Sequence, residues 1–389
     1  MADHIGQRIA ARRRARRMTQ QDLARESHVS LPMVKSIERG VRTPSPVVLE
    51  ALASALGVDA SRLDPAYTGT HRRVHAALPA ISAAIAGYDI ALDPPARSLA
   101  ELTRAVQEAT GWRLAAQYGR IAAAAPALLA DALAHLPAAT GAGRAEAARL
   151  VVAAARAVDA VAYKYGAYDL SARLIDVMRW AAAQTGDPDV VATAAYVHAE
   201  TFLAARAYRA GQAVLERALD AVPRVGAERG AAVRGALHMR TAVVAARAGN
   251  AAAAYGHLDD AEQLADGLAE GVYLGTAFGP SSVRIHQVAV AVSLGRDHIG
   301  VALDVAREWK PGDEIPAERR SGFYVELGRA QLWAGCPDAA FESLKVARRL
   351  APQHVRGHPW AREDIETIRR IKRADAESLT AFADWIGAV

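Results

Sequence analysis

The sequence predicts an all-α protein in two parts, a small basic head of short helices and a long body of paired helices. Three observations carry this expectation. Of the 389 residues, 52% are hydrophobic, with many alanines and few β-branched clusters, which favours helix over strand. No stretch alternates apolar and polar residues with the period of a strand. Helix start and stop signals follow one another through the first 64 residues, and turn signals then recur near positions 166, 206, 249, 295 and 335, a spacing of 40 to 46 residues.

In the head, Ile5, Ile9 and Met18 mark the apolar face of a first helix whose other face is arginine. Thr19-Gln20-Gln21-Asp22 has the form of a capping box, in which the Thr19 hydroxyl and the Asp22 carboxylate satisfy free amides at a helix start. The spacing predicts a second helix from Gln20 to about Glu26 with Leu23 and Ala24 inward, then a short turn at His28-Val29. Ser30 can cap a third helix, and Pro32 falls in its first turn, where a missing N–H loses nothing. Gly40 suits the left-handed residue that ends this helix. Ser45-Pro46 caps and opens a fourth, which stops at Gly57. Two short helices joined by a tight turn, the second presenting polar residues, fit a major groove.

Charge points the same way. The formal net charge is +5, and residues 1–64 hold 11 Lys/Arg against 7 Asp/Glu, so the rest of the chain carries only +1. Five arginines fall between Arg12 and Arg17, where they would attract a phosphate backbone. In the body, heavy arginine and alanine use reflects a GC-rich coding sequence.

The motifs Thr19-Gln20-Gln21-Asp22-Leu23-Ala24, Val29-Ser30, Ile37-Glu38-Arg39-Gly40, Pro44 and Leu52-Ala53-Ser54-Ala55-Leu56-Gly57-Val58 resemble the lambda-repressor-like, xenobiotic-response-element (XRE) helix-turn-helix family. The resemblance covers nearly all of residues 5–64. It implies that the third helix enters the major groove of double-stranded DNA by its N-terminal end, so that Ser30, Leu31, Pro32, Lys35 and Ser36 face bases or nearby phosphates. It implies a phosphate contact from Gln20, acting with the N–H groups at the start of the second helix. Arg39 and Arg42 would meet the other edge of the backbone, and Arg13 and Glu38 would form an internal ion pair. Arg12 and Arg16, like Arg14 and Arg17, are either phosphate contacts or part of a solvated face. The chain departs from the commoner pattern at Leu31 and Pro32, which donate no hydrogen bond to a base edge, so specificity would rest on Lys35, Ser36 and DNA shape.

Asp64-Pro65 begins a break, and residues 65–145 are expected to be a helical connector. It holds helices from His71 to about Gly87, Ser98 to Ala109 and Trp112 to about Ala125, with a break at Asp93-Pro94-Pro95 and a loop over Pro137 to Gly143. From about Glu146 to the end, helix pairs are expected. Tyr324, Leu327, Gly328, Gly335, Ala340, Leu344, Ala347 and Pro352 match the tetratricopeptide repeat (TPR) pattern. Phe202, Tyr208, Gly211, Leu215, Ala218 and Pro223 form a second copy, and Ala242, Ala245, Gly249, Ala254, Leu258 and Ala261 a weaker one. Ordinary TPR spacing is about 34 residues, so these are TPR-like pairs with lengthened helices or loops. Head and body together resemble a group of actinobacterial regulators with an XRE head and a TPR-like body, notably over Gly275-Thr276-Ala277-Phe278-Gly279-Pro280 through Ala351-Pro352. The architecture is also similar to that of peptide-sensing quorum regulators of Gram-positive bacteria. A solenoid has a concave face lined by the first helix of each pair. Extrapolating the repeat register places Tyr196, Glu200, Met239, Arg247, Arg329 and Trp333 on it, as ligand contacts for a peptide or small polar molecule or as ordinary packing residues.

Several chemistries lack their residues. No phosphate-cradling GxxxxGK loop occurs, and Gly141-Ala142-Gly143 has no third glycine and no preceding strand. His354 and His358 are followed by Pro359 without an acidic third ligand, and His198-Ala199-Glu200 lacks the cysteine pair that a deaminase needs. No cofactor, metal site or enzyme activity is expected. The single cysteine, Cys336, allows no intrachain disulfide. The N-terminus has no apolar signal segment, and the apolar run from Ile121 to Ala134 is expected to be too short to cross a membrane, so the expected location is the cytoplasm, on the nucleoid when DNA is bound. The favoured function is a homodimeric transcription regulator controlled by a ligand in the body, since one head offers too few contacts for a specific operator. The competing function is an adaptor whose solenoid binds a partner protein while the head only localises it. An enzyme with a regulatory head is a third.

Overall fold

A computed structural model of the chain describes residues 5–44, 46–58, 60–64, 70–90, 94–223, 228–371 and 376–388. The chain divides into two compact units, residues 1–72 with 358–389, and residues 73–357.

In the first unit, α1 (Ile5–Ala15), α2 (Gln20–Ser27), α3 (Leu31–Glu38), α4 (Pro46–Ala55) and α5 (Ala60–Leu63) share one core. Ile9, Leu23, Val34, Ile37, Leu52 and Leu56 are fully buried in it. The Thr19 capping box forms as expected: Thr19 Oγ1 accepts from the Asp22 amide at 3.0 Å, and the Thr19 amide donates to Asp22 Oδ2 at 2.9 Å. His28, at φ 54°, turns the chain from α2 to α3, and Gly40 and Gly57 are left-handed at φ 76° and 62°. Ser30 holds the N-cap position of α3, but its side chain makes no capping bond, so the hydroxyl does not support the helix start as anticipated. Ser45 lies outside the described residues.

The second unit takes in most of α6 (Thr70–Ala84) and then six helix pairs among the described residues. These are α7 (Leu99–Leu114) with α8 (Tyr118–Ala138), α9 (Gly141–Lys164) with α10 (Tyr168–Ala182), and α11 (Pro188–Ala204) with α12 (Tyr208–Ala221). They continue with α13 (Glu228–Arg247) and α14 (Ala251–Ala265), α15 (Pro280–Leu294) and α16 (Ile299–Glu308), and α17 (Ala317–Trp333) and α18 (Pro337–Leu350). The short α19 (Pro352–Gly357) follows, and α20 (Pro359–Ile371) and α21 (Ala376–Ile386) pair within the first unit.

One turn geometry explains the pairing. Ala116, Gly166, Arg206, Gly249 and Gly335 all have φ between 53° and 79°. After each, the next amide reaches back to close the helix: Gln117 to the Trp112 carbonyl at 2.7 Å, Ala167 to Ala162 at 2.9 Å, Ala207 to Phe202 at 2.8 Å, Asn250 to Ala245 at 2.9 Å and Cys336 to Gln331 at 2.9 Å. This six-to-one bond is the Schellman stop of an α-helix. Close approach within pairs also follows the sequence: a Cβ on Gly328 would meet the Ala340 carbonyl at 3.3 Å, and one on Gly211 would meet Phe202 Cβ at 3.0 Å.

Four sequence expectations are corrected. First, 65–145 is not a separate connector. A single core runs from Val74 to Ala351, and α7 and α8 are a pair like the others, hidden because a left-handed alanine, Ala116, replaces glycine at their turn. The break at 110–111 is therefore continuous helix, and the loop foreseen over Pro137 to Gly143 shrinks to residues 139–140. Second, residues 358–389 group with the head rather than the repeats. Third, a two-stranded antiparallel hairpin, β1 (Gly271–Tyr273) and β2 (Thr276–Phe278), interrupts the helices, with Gly271 opposite Phe278 and Tyr273 opposite Thr276. Three residues per strand are too few to display a period. Fourth, α8 is long and apolar enough by composition to cross a membrane, the only such helix among the described residues, because Pro126 does not interrupt it. Its Tyr118, Ile121, Leu128, Leu129 and Leu136 are instead buried in the repeat core.

Candidate nucleic-acid interface and repeat-domain cluster

The head is tied together at the end of α3. Arg13 of α1 meets Glu38 at the end of α3 through two bonds, Nε to Oε1 at 2.7 Å and Nη2 to Oε2 at 2.8 Å, and its Nη1 donates to the Met18 carbonyl at 2.8 Å. Gln20 adds a third donor to Glu38 Oε2 at 2.7 Å, so one carboxylate ties the first three helices together. Burial opposes ionisation of Glu38, but the bonds from Arg13 and Gln20 hold its carboxyl below the usual range. Gln20, expected to touch a phosphate, thus has one amide hydrogen engaged inside the head.

Ser30, Pro32 and Lys35 are exposed along α3, Ser36 is half-buried, and Leu31 packs partly against the head core. Arg12, Arg39 and Arg42 are exposed nearby in sequence; Arg39 Nε bonds the Lys35 carbonyl at 3.2 Å and Arg42 approaches the Met33 sulfur at 3.6 Å. Arg16 donates to the Ala55 carbonyl at 3.3 Å, covering the end of α4. Arg8, which the sequence reading did not single out, donates to the Leu63 carbonyl at 2.6 Å. The basic stripe therefore divides: Arg8, Arg13 and Arg16 secure the head itself, and Arg12, Lys35, Arg39 and Arg42 present charge outward.

In the second unit the first helices of the pairs, α7, α9, α11, α13, α15 and α17, pack in succession, and α17 returns to α7. The inner face is lined by a cluster of polar side chains. Arg240 Cζ lies 4.1 Å over the Tyr196 ring and its Nη2 donates to Glu200 at 3.1 Å. Arg319 donates to the Tyr196 hydroxyl at 2.9 Å and faces His286 Nε2 at 3.2 Å. Arg156 lies 5.8 Å from the Tyr196 ring, donates to the Leu274 carbonyl at 2.6 Å and to Thr276 Oγ1 at 2.6 Å, and Arg113 bonds the Gly275 carbonyl. Lys164 pairs with Glu318 at 3.0 Å. Burial raises the Tyr196 hydroxyl, yet Arg240, Arg319 and Arg156 outweigh it and bring it down to about 8. Burial, then repulsion from Arg113, pushes the Arg156 guanidinium down to about 9. Burial lifts the Glu326 carboxyl to about 7, against Arg247, Arg319 and Lys164.

Of the six residues expected on the concave face, Tyr196 and Glu200 join this cluster. Met239 is a correction: it is fully buried in the core, one residue out of register with Arg240, which faces inward instead. Arg247 is exposed at the end of α13, and Arg329 stacks 5.7 Å from the Trp333 ring, with Arg296 at 5.9 Å. Arg113, Arg156 and Arg319 were missed: Arg113 precedes the unmarked turn at Ala116, and Arg156 and Arg319 lie on glycine-marked helices at positions the extrapolated register did not select.

Among the described residues, one group of side chains could hold a metal ion: His238, His257 and Asp260 place one donor atom each within 4.8 Å of one another, with the two Nδ1 atoms 3.0 Å apart. His354, considered from sequence with His358, is buried and bonded to Ser321 at 3.1 Å. Cys336 is exposed at the α17–α18 turn.

The helix-turn-helix family profile matches residues 9–63. The immunity repressor protein of Bacillus phage phi105 is 42% identical over 59 residues, which is 15% of this chain and 41% of the repressor, so the chain spans under half the length of that relative. Among solved structures, Bacillus thuringiensis PlcR in complex with the peptide PapR7 and DNA aligns over 68% of this chain and 95% of its own at 15% identity, with a TM-score of 0.31. The apo form of the competence regulator ComR from Streptococcus vestibularis aligns over 74% and 98% at 14% identity, with a TM-score of 0.26. The matched residues include the capping box, the left-handed turn at His28 and the Arg13–Glu38 pair, so over residues 9–63 the head of this chain matches the helix-turn-helix family.

Proposed function

We propose that the chain is a sequence-specific transcription regulator that binds DNA as a homodimer and is controlled by a small effector held in its helical-repeat unit. One observation carries the DNA-reading part: Ser30, Pro32 and Lys35 stand exposed at the start and along α3 while Val34 and Ile37 of the same helix are fully buried, so the reading face is fixed by the core behind it. In this reading residues 1–64 read the operator. Ser30, Lys35 and Ser36 contact bases, Leu31 and Pro32 shape the fit, Gln20 donates a hydrogen bond to a phosphate, and Arg12, Arg39 and Arg42 neutralise phosphates. The repeat unit senses and supports dimerisation, and the chain acts by binding rather than by catalysis.

The test is selection of bound fragments from genomic DNA with the wild type beside a Lys35→Ala/Ser36→Ala variant. A short two-fold-symmetric motif that the variant loses supports the reading. A motif enriched equally by both removes α3 as the reader. Sedimentation of the protein with one selected operator checks the stoichiometry, two chains per symmetric site being expected.

A further inference from the structure

The cationic groups inside the repeat unit outnumber the anions that could neutralise them. Lys164 takes Glu318, and Arg240 takes Glu200. Arg113, Arg156 and Arg319 hydrogen-bond only neutral partners: the Gly275 and Leu274 carbonyls, the Thr276 and Tyr196 hydroxyls and the His286 ring; the carboxyls in electrostatic range, Asp159 (bonded by Ser171) and Glu326, are pushed toward their neutral forms by burial. Arg113 and Arg156 are only 9% and 8% exposed. A buried guanidinium bonded to carbonyls has its hydrogen bonds but not its counter-charge, and that deficit is costly in a poorly solvated place. Beside these two side chains a cleft of about 510 Å³ lies between α7, α9 and the hairpin tip. Its walls combine Arg113, Arg149 and Arg156 with the apolar Val106, Leu150 and Leu274. The volume falls within the range of small-molecule sites, about 300–1,000 Å³.

We propose that this cleft binds a small amphipathic anion, a carboxylate or phosphate on an apolar body, with Arg113 and Arg156 taking the charged head and the α7–α9 wall taking the rest. The assignment names the chemical class of the effector in the regulator reading above and rests on that reading for its purpose, though not for its chemistry. A planar guanidinium offers paired donors that match two oxygens of a carboxylate or phosphate. Those donors now hold the tip of the hairpin, at Leu274, Gly275 and Thr276. An anion arriving there replaces the two carbonyls and releases the tip, so binding is coupled to the seating of β1 and β2. Arg149 stands at the rim, 40% exposed, shared between Glu146 at 3.7 Å and Asp187 at 3.6 Å, where it adds attraction without being part of the buried grip.

The full-length protein, without DNA, is titrated calorimetrically with decanoate, decyl phosphate and the uncharged 1-decanol. Saturable binding of at least one anion, at least about tenfold tighter than the alcohol, is expected. The preferred anion separates a carboxylate from a phosphate ligand. Arg156→Gln should weaken binding about tenfold or more, Arg156→Lys less, and Arg149→Gln a few-fold, whereas Arg179→Gln, on exposed α10 surface, should leave it unchanged. If Arg156→Gln does not fold, the Arg156→Lys and Arg149→Gln titrations decide. Amide hydrogen exchange over residues 271–278 should accelerate when the anion binds. Decanol binding as tightly as the anions, no saturable anion binding, or equal losses in the Arg156 or Arg149 variants and Arg179→Gln would overturn the site. Operator affinity measured with and without the anion answers the separate question of control: no change would leave the site standing and remove its regulatory role.

Discussion

Removal of the Glu38 charge gives the sharpest test of how the head is held. Arg13 and Glu38 have side chains only 12% and 6% exposed, and their two bonds, at 2.7 and 2.8 Å, are charge-assisted. Glu38→Ala leaves a largely buried guanidinium without its partner and strips Gln20 of its acceptor. Breaking such a pair costs about 3–5 kcal/mol, and the residual exposure of Arg13 places this case near 3 kcal/mol. A unit of about 100 residues has about 5–15 kcal/mol in total, taking about 0.05–0.15 kcal/mol per residue, so the single variant should lose a large share of its stability and unfold at clearly lower denaturant. Arg13→Met/Glu38→Leu removes both charges and fills similar volume, and should return to within about 1 kcal/mol of wild type. Denaturant unfolding of the four proteins of the cycle measures the coupling, and hydrogen exchange at the Val34 and Ile37 amides reports on α3 directly. The carboxyl is held below its usual range in the folded head, so its contribution is present above the usual carboxylate value and is lost as pH falls through the lowered folded one. The double variant should lack that acid-sensitive step. Its DNA affinity should keep the wild-type salt slope, because Arg13 faces Glu38 and not a phosphate. A coupling energy under about 0.5 kcal/mol, within the error of additive independent sites, would refute the argument.

Other outcomes follow from single contacts. Gly235→Ala places a methyl carbon 1.9 Å from the ring of fully buried Phe278, so the hairpin must leave α13; a loss of about 2–4 kcal/mol with fast exchange confined at first to residues 271–278 is expected. Glu326 has a folded value of about 7 against 4.5 for the free side chain, so the unfolded chain loses this proton first and stability falls as pH rises from 4.5 to 7. Glu326→Gln should abolish that fall, worth up to about 3 kcal/mol, in melts compared at pH 5 and pH 7.5. Thr19→Ala should cost the isolated protein about 1 kcal/mol, whereas Ser30→Ala, whose hydroxyl caps nothing, should cost a few tenths; equal losses in urea would contradict the capping assignments. Arg62→Ala should be silent in the same assay, since its contact with Asp384 is 4.0 Å long between side chains 66% and 56% exposed.

The head was legible because its signals are local. Thr19 with Asp22, Pro32 and Gly40 each act within a few residues, and local chemistry determines where such helices begin and stop. The repeat turns were legible for the same reason where glycine marks them, at Gly166, Gly249 and Gly335. At Ala116 the same left-handed turn is held by tertiary packing on a residue that disfavours it, and the first pair went unseen. The hairpin was invisible because its stability comes from Arg113, Arg156 and Gly235, residues roughly 40 to 160 positions away. Met239 and Arg240 illustrate the limit of register: one residue on a helix is 100° of rotation, enough to exchange a core side chain for a cluster side chain.

The residues that sequence could not place share a physical property that bears on function. Arg113 and Arg156 hold the hairpin tip through hydrogen bonds, and Arg319 holds the Tyr196 hydroxyl, yet none of the three has a carboxylate bonded to it. A neutral donor of similar shape would satisfy the same carbonyls without placing an uncompensated charge in a poorly solvated site. The inner face nevertheless retains these cations, with Glu200 bonded to Arg240, and Asp159 and Glu326 pushed toward their neutral forms by burial. Local consistency is given up where it serves binding or switching, and the sites where it is given up are the places to look for ligands. The hairpin sharpens this point. Its tip meets Arg113 and Arg156 with neutral oxygens, which satisfy geometry but leave charge uncompensated, so the seated tip is a weaker occupant than an anion of the same shape. A segment held by the lesser of two partners is the kind of two-state element on which a ligand can act, because the ligand has a differential affinity for the state in which the tip has left.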